Sequence, residues 1–320
     1  MQNTNRIFYL DLLRVLAIVL VILIHTFGYL STIVVFPISI KLVYWFFNAG
    51  VPLFVMISGA LILGRDEEPS NFLSKRLKRV FVPFFFWSII VFVLKFKNIY
   101  DGNGHIFNEF LSYCRNFIPY LLENKIHGIY WYVYMLIGLY LIAPILQKSF
   151  AKGGEKLVRY AVILFVAFFI IKSIFPSFYM FKYYDFHFIG FFICGFYIHK
   201  YVKNKHAALA IIGIVVSFIL SWIHFYYNIG LPYIQIETIS IYLLFKGLPS
   251  PKKWPIVFMI SRYSYVMYLS HFLLVSILYK HQIVPLVLEP AFMCLVILIV
   301  LLLVFYLVDK LKFANKIVGI

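Results

Sequence analysis

Charge is scarce in this chain. Of its 320 residues 13% are charged and only 12 are acidic, where a soluble domain would carry about 25% charge. An ordinary water-soluble fold is excluded. Cysteine is scarce too. Cys114, Cys194 and Cys294 are scattered and match neither a disulfide framework nor a zinc spacing. The sequence has no polar stretch long enough for a second domain, no low-complexity tract, and no inverted repeat of the transporter type. Sustained polar–apolar alternation of the barrel type is also missing, so helices must satisfy the backbone inside a bilayer.

Apolar residues fill the rest. They make up 63% of the chain, and the mean hydropathy is +0.93. Long apolar runs recur from residue 8 to residue 308 and divide into about ten spans of roughly 20 residues. They cover 8–30, 38–63, 80–97, 129–149, 160–176, 184–200, 208–227, 232–248, 256–280 and 289–308. The expectation is an all-α membrane protein, a polytopic bundle of about ten transmembrane helices in one domain over residues 1–320. The first span is too long for a signal-peptide core, holds Asp11 and Arg14, and lacks a small-residue cleavage site, so it is expected to be retained.

The net charge of +17 does not point to nucleic acid. With ten spans and the N-terminus inside, 20 Lys and Arg residues fall on inner segments and 8 on outer segments or span edges, with Arg14 in neither group. This is the positive-inside bias, and it places both termini in the cytoplasm. Two connections are long. The inner one, 64–79, ends in Lys75-Arg76-Leu77-Lys78-Arg79. The outer one, 98–128, holds Asp101, His105, Glu109, Glu123 and His127, and is large enough to fold over an opening as a lid.

Against this apolar background a few polar side chains stand out. Arg14 and His25 are eleven residues apart in the first span. Eleven helical steps make three turns plus roughly 20°, so both share one face about 16 Å apart along the axis. Ionisable groups in such a helix mark a water-filled cavity, a partner helix or a site, or in the bland case a snorkelling arginine and a packed histidine. Asp11, three residues before Arg14, supplies a counter-charge. A cation at the inner end suits an anionic ligand, and a histidine nearer the outside suits a general base.

Arg76 and Arg79 are spaced for bidentate phosphate binding, although topology charge explains them equally well. In the run from Phe46 to Ala60, Gly50, Ser58 and Gly59 permit close helix approach and Pro52 permits a kink. His271 lies deep in the ninth span and needs a partner there; it lines the same cavity as His25 or bonds a neighbouring helix. Asp185, His187 and Glu237 near outer span ends are weaker candidates, and Trp131, Tyr134 and Tyr140 are belt or core aromatics of a type that sugar-binding surfaces also use.

Taken together these pieces resemble the acyltransferase-3 family of integral-membrane acyltransferases. Leu10 to Arg14 with His25 resembles its Arg-x10-His element, and Gly50-Val51-Pro52-Leu53-Phe54 with Ser58-Gly59 its glycine–phenylalanine–Ser-Gly stretch. Arg76 to Val80 with Pro83-Phe84 resembles its Arg-x-x-Arg element, Trp131 to Pro144 its fourth-span motif, and Ser264 to His271 its late Ser-Tyr-x-x-Tyr-x-x-His signature. Leu12 replaces a glycine often found after the aspartate.

The resemblance implies O-acylation in a bacterial cell membrane. An acyl-CoA, usually acetyl-CoA, would bind from the cytoplasm, and the acceptor would be a hydroxyl of a glycan or lipid-linked sugar at the outer face. Position by position it implies His25 as catalytic base and Arg14, Arg76 and Arg79 as CoA ligands; Arg14 and its counter-charge Asp11 are counted with His25 as catalytic, and no metal is expected because a thioester already has a good leaving group. Ser58, Trp131, Tyr134 and His271 are the expected cavity residues. The chain stops after its last span without the extra periplasmic hydrolase-like domain of some relatives, so acceptor handling is expected to rest on the membrane domain or on polysaccharide assembly proteins. A carrier or flippase for a glycolipid or small anion, and a structural subunit of a polysaccharide synthase, remain as rivals.

Overall fold

The computed structural model describes residues 6–30, 44–99, 106–175, 187–203, 206–227, 231–251, 254–280, 289–311 and 315–320. Asp101, His105 and Asp185 lie outside these residues. Among the described residues the chain is helical, with no strand. The helices are α1 (Phe8–Leu30), α2 (Gly50–Ile62), α3 (Pro69–Ile99), α4 (Ile106–Cys114), α5 (Phe117–Leu122), α6 (Trp131–Ile174), α7 (His187–Tyr201), α8 (Ala207–Tyr227), α9 (Tyr233–Lys246), α10 (Pro255–Lys280), α11 (Glu289–Lys310) and α12 (Asn315–Val318).

Helix underlies each of the ten expected spans. Among the described residues six helical stretches are long and apolar enough to cross a membrane. The longest holds two expected spans, because α6 runs through both and turns at Gly154, whose φ of 60° lies in the left-handed region. The short α7 and α9 and the polar-studded α10 fall outside the six.

Two details depart from the sequence expectation. The third helix starts at Pro69 rather than near residue 80. Proline suits a first helical turn, and Phe72, buried one turn later, anchors the segment that its charges had made look like a loop. Arg76 and Arg79 are therefore helical, with i,i+3 spacing. Pro52 introduces no kink; it sits in the first turn of α2, where a missing N–H costs nothing.

Helix α1 is the hub. It packs against α2, α9, α10 and α11, and Leu13, Ala17, Ile18 and Ile22 are fully buried. Helices in lipid gain little from the hydrophobic effect between themselves, so close van der Waals fit and polar contacts hold the bundle. Both are present. In the α2–α7 crossing, a Cβ on Gly59 would stand 1.8 Å from the Phe192 carbonyl oxygen, and one on Gly195 would stand 2.0 Å from that of Met56. Each helix thus lends a glycine to the other's backbone. Lys246 Nζ on α9 donates to the carbonyls of Ile198 (2.5 Å), His199 (3.0 Å) and Val202 (2.6 Å) at the end of α7. Those acceptors have no intrahelical donor, and a cation there also opposes the helix dipole.

The described part of the 98–128 segment packs mainly on α3. Phe92 stacks on Tyr113 with ring centroids 4.1 Å apart and meets Phe117 at 5.0 Å. Its end, from Ile126 to Tyr130, reaches the core against α3 and α10, where Ile126 and Tyr130 are buried, and Leu121 of α5 is buried as well.

Candidate active site

A cavity of about 250 Å³ opens beside the C-terminal half of α1. Val21, Ile24 and His25 form one wall, and Asn48, Pro52, Trp131, Tyr132, His187 and Tyr268 are among the residues that complete it. The walls are mainly aromatic and aliphatic with a few polar groups, the usual make-up of a small-molecule site. Trp131 packs against Phe188 at 5.4 Å.

Behind His25 stands His271, fully buried, with the two ring centroids 5.1 Å apart. His271 Nδ1 lies 2.8 Å from the Tyr268 carbonyl oxygen and 3.2 Å from that of Met267. Its Nε2 is buried with no hydrogen-bond partner among the described residues. A buried polar atom left this way costs on the order of 1–3 kcal/mol. His271, expected among the cavity residues, stands behind His25 and is not on the cavity wall.

At the N-terminal end of α1 lies a cationic basin. Asp11, 2% exposed, is its centre. Its Oδ1 accepts from Arg14 (3.1 Å), from Ser261 Oγ on α10 (2.6 Å) and from Arg6 (3.3 Å). Arg14, Arg76 and Arg79 all lie within electrostatic reach of the Tyr140 hydroxyl, and the Ser58 side chain is near it. The guanidinium of Arg76 sits over the Phe72 ring, 5.8 Å from its centroid. Asp11 pairs with Arg6 and Arg14, and Arg76 has Arg65, Arg79 and Glu67 within electrostatic reach; the arginines outnumber the carboxylates, which leaves the basin positive. Ser58, expected in the histidine cavity, belongs to this basin instead.

The two sites do not form the single open hollow that the shared helix face suggests. On α1 the cavity wall ends at Val21, and below it Ala17 and Ile18 are buried in packed side chains. Tyr132 stands between: it lines the cavity, and its hydroxyl is within electrostatic reach of Arg14 and Tyr140. Tyr134, the residue expected in this role, points away. Its hydroxyl donates to the Leu121 carbonyl, and its ring meets Phe84 edge-on at 5.4 Å. Glu237 is buried in α9, one turn from the lining residue Ile234, with Oε1 unpartnered among the described residues. It is not on the cavity wall.

His127 completes the outer end. It stacks on Phe272 with centroids 3.9 Å apart, and its Nδ1 accepts the Ile129 N–H at 3.3 Å. Burial, with Lys95 and His25 nearby, pushes its imidazole from 6.5 down to about 4. The folded ring is then neutral where an unfolded chain would bind a proton, so stability is lost as pH falls from about 6.5 toward 4. Between those limits the melting temperature of the wild type in detergent is expected to fall more steeply than that of a His127→Gln variant.

Among the described residues no group of three or more His, Cys, Asp or Glu is arranged to hold a metal ion. Comparison with known proteins gave no match to a curated protein or to a solved structure. A family model described as an acyltransferase domain matches residues 7–309. That stretch contains Asp11, Arg14, Arg76 and Arg79 of the basin and the histidine pair, and a match over nearly the whole chain establishes that this multi-pass membrane protein belongs to the acyltransferase-3 family and is an acyltransferase.

Proposed function

We propose that the protein moves an acetyl group from cytoplasmic acetyl-CoA to a hydroxyl of a cell-surface polysaccharide or lipid-linked sugar, in the cell membrane of a bacterium with both chain termini in the cytoplasm. The observation that carries this reading is the division of labour along α1. Four arginines gather at one end, and a histidine faces a cavity at the other. Arg14, Arg76 and Arg79 suit the phosphates of the CoA nucleotide. The pantetheine arm is long enough to span the roughly 16 Å between Arg14 and His25, but Tyr132 and the side chains packed around Ala17 and Ile18 close that line, so its entry requires them to part. The aromatic walls suit the apolar faces of a sugar ring.

The chemistry is direct transfer. A nitrogen of His25 removes the acceptor hydroxyl's proton as the oxygen attacks the thioester carbonyl. The tetrahedral intermediate collapses, the C–S bond breaks, and the CoA thiolate takes up a proton. The test is thiol release from acetyl-CoA by the purified protein in detergent, supplied with a lipid and glycan extract of its own membrane. Turnover without a sealed compartment is expected. A carrier would give none, and that result would end this proposal.

A further inference from the structure

The buried His271 has an acceptor with nothing to accept, and its neighbour is the proposed base. Both Nδ1 contacts of His271 are to carbonyl oxygens, Tyr268 at 2.8 Å and Met267 at 3.2 Å. Carbonyls only accept, so Nδ1 carries the proton and Nε2 presents a lone pair. The helix backbone of α10 itself therefore fixes the tautomer. Among the described residues that lone pair has no partner. The rings around it are His25 at 5.1 Å, Tyr268 at 6.1 Å and Phe272 at 6.4 Å. Tyr268 spends its hydroxyl on the Ile129 carbonyl, and phenylalanine has no donor. His25 is left. Two imidazoles joined edge to edge by an N–H···N bond of about 3 Å have centroids about 5 Å apart, which is the separation seen. Their planes are inclined by 36°, and a modest ring rotation of His25 completes the bond.

We propose that His271 is a positioning residue for acyl transfer: its Nε2 accepts a hydrogen bond from one ring nitrogen of His25, which leaves the other nitrogen as an unprotonated base in the cavity. This rests on the reading of His25 as base in the proposed function. His271 touches no substrate, being shut off from the cavity by His25 and Tyr268. It sets which His25 nitrogen holds the resting proton. It also stabilises the imidazolium formed when the other nitrogen takes the acceptor's proton. A neighbouring carboxylate is the usual orienting group in such arrangements. Here a second histidine, whose own tautomer is set by a helix backbone, does that job without a buried negative charge.

The test compares His271→Leu with His271→Gln in the full-length protein, by thiol release from acetyl-CoA with the membrane extract as acceptor source. Leucine removes the acceptor; glutamine keeps a carbonyl oxygen near the position of Nε2. His271→Leu is expected to lower kcat about 10- to 30-fold with the KM for acetyl-CoA within about twofold, and His271→Gln to recover most of the loss. In a His25→Ala background, His271→Leu should change the residual rate by less than about twofold, because the residue acts through the ring already removed. A full 10- to 30-fold further loss in that background would overturn the proposal, as would a KM effect without a kcat effect. If His271→Leu does not fold, nitrogen NMR of 15N-histidine-labelled wild type decides, with the His271 signal assigned by its loss in His271→Gln. A proton on Nδ1 of His271 supports the proposal and a proton on Nε2 overturns it. An inactive wild type would instead defeat the functional reading itself, which separates the two failures.

Discussion

Replacing His25 with alanine is expected to lower kcat for acetyl transfer about 10³-fold while leaving the KM for acetyl-CoA nearly unchanged. The size follows from the role. A positioned general base contributes roughly 10²–10⁴ in rate, and 10³ corresponds to about 4 kcal/mol of transition-state stabilisation. The unchanged KM follows from the layout, since the cations proposed to hold the nucleotide are at the other end of α1 and share no contact with His25. The variant should also insert and fold normally. His25 is on a cavity wall, so truncating it enlarges an existing space and leaves the packed core below Val21 intact. Size-exclusion and thermal profiles in detergent check the fold, and thiol release checks the rate. A well-folded His25→Ala protein with wild-type turnover would remove the histidine from the chemistry.

The sequence showed the helices because apolar run length responds to one physical requirement, the thickness of the bilayer. It also paired Arg14 with Asp11, because both lie within one apolar helix, where spacing fixes direction. It could not say that Ser261 also bonds Asp11, nor show how His271 is held behind His25, because these contacts cross between helices distant in sequence. The phase of a helix start was hidden as well. Tyr132 and Tyr134 are two residues and therefore about 200° apart on α6, so an aromatic run alone does not tell which faces the cavity and which faces Phe84. The early start of α3 was hidden for a different reason. Lys75 to Arg79 look like a solvated loop until the buried Phe72 shows that the helix has already begun. The interruption of the Arg14–His25 line is likewise a tertiary fact: shared helix face is a property of one chain segment, while an open path depends on what α2 and α6 place against it.

Removing Arg76 and Arg79 together is expected to raise the KM for acetyl-CoA about 100-fold with kcat nearly unchanged. Hydrogen bonds to charged groups are worth about 1.5–3 kcal/mol each, and 1.4 kcal/mol is tenfold in affinity. Arg79 is exposed, so solvent screening puts its share at the low end. Arg76 is half-buried over Phe72 and should contribute more. Arg14 does not substitute for them, since Asp11 already holds it. Topology charge would explain the same two residues without any ligand, and the thioester used as donor separates the cases. S-acetyl-N-acetylcysteamine carries the reacting carbonyl and a stub of the pantetheine arm but no nucleotide. If the arginines hold phosphates, the double alanine variant loses about 100-fold toward acetyl-CoA and stays within about twofold toward the short donor. Arg→Lys replacements at both sites should fall between, because they keep charge and lose the planar fork. Equal loss toward both donors would mean that the pair maintains the fold or its orientation in the membrane, and the nucleotide would have to be sought elsewhere on the inner face.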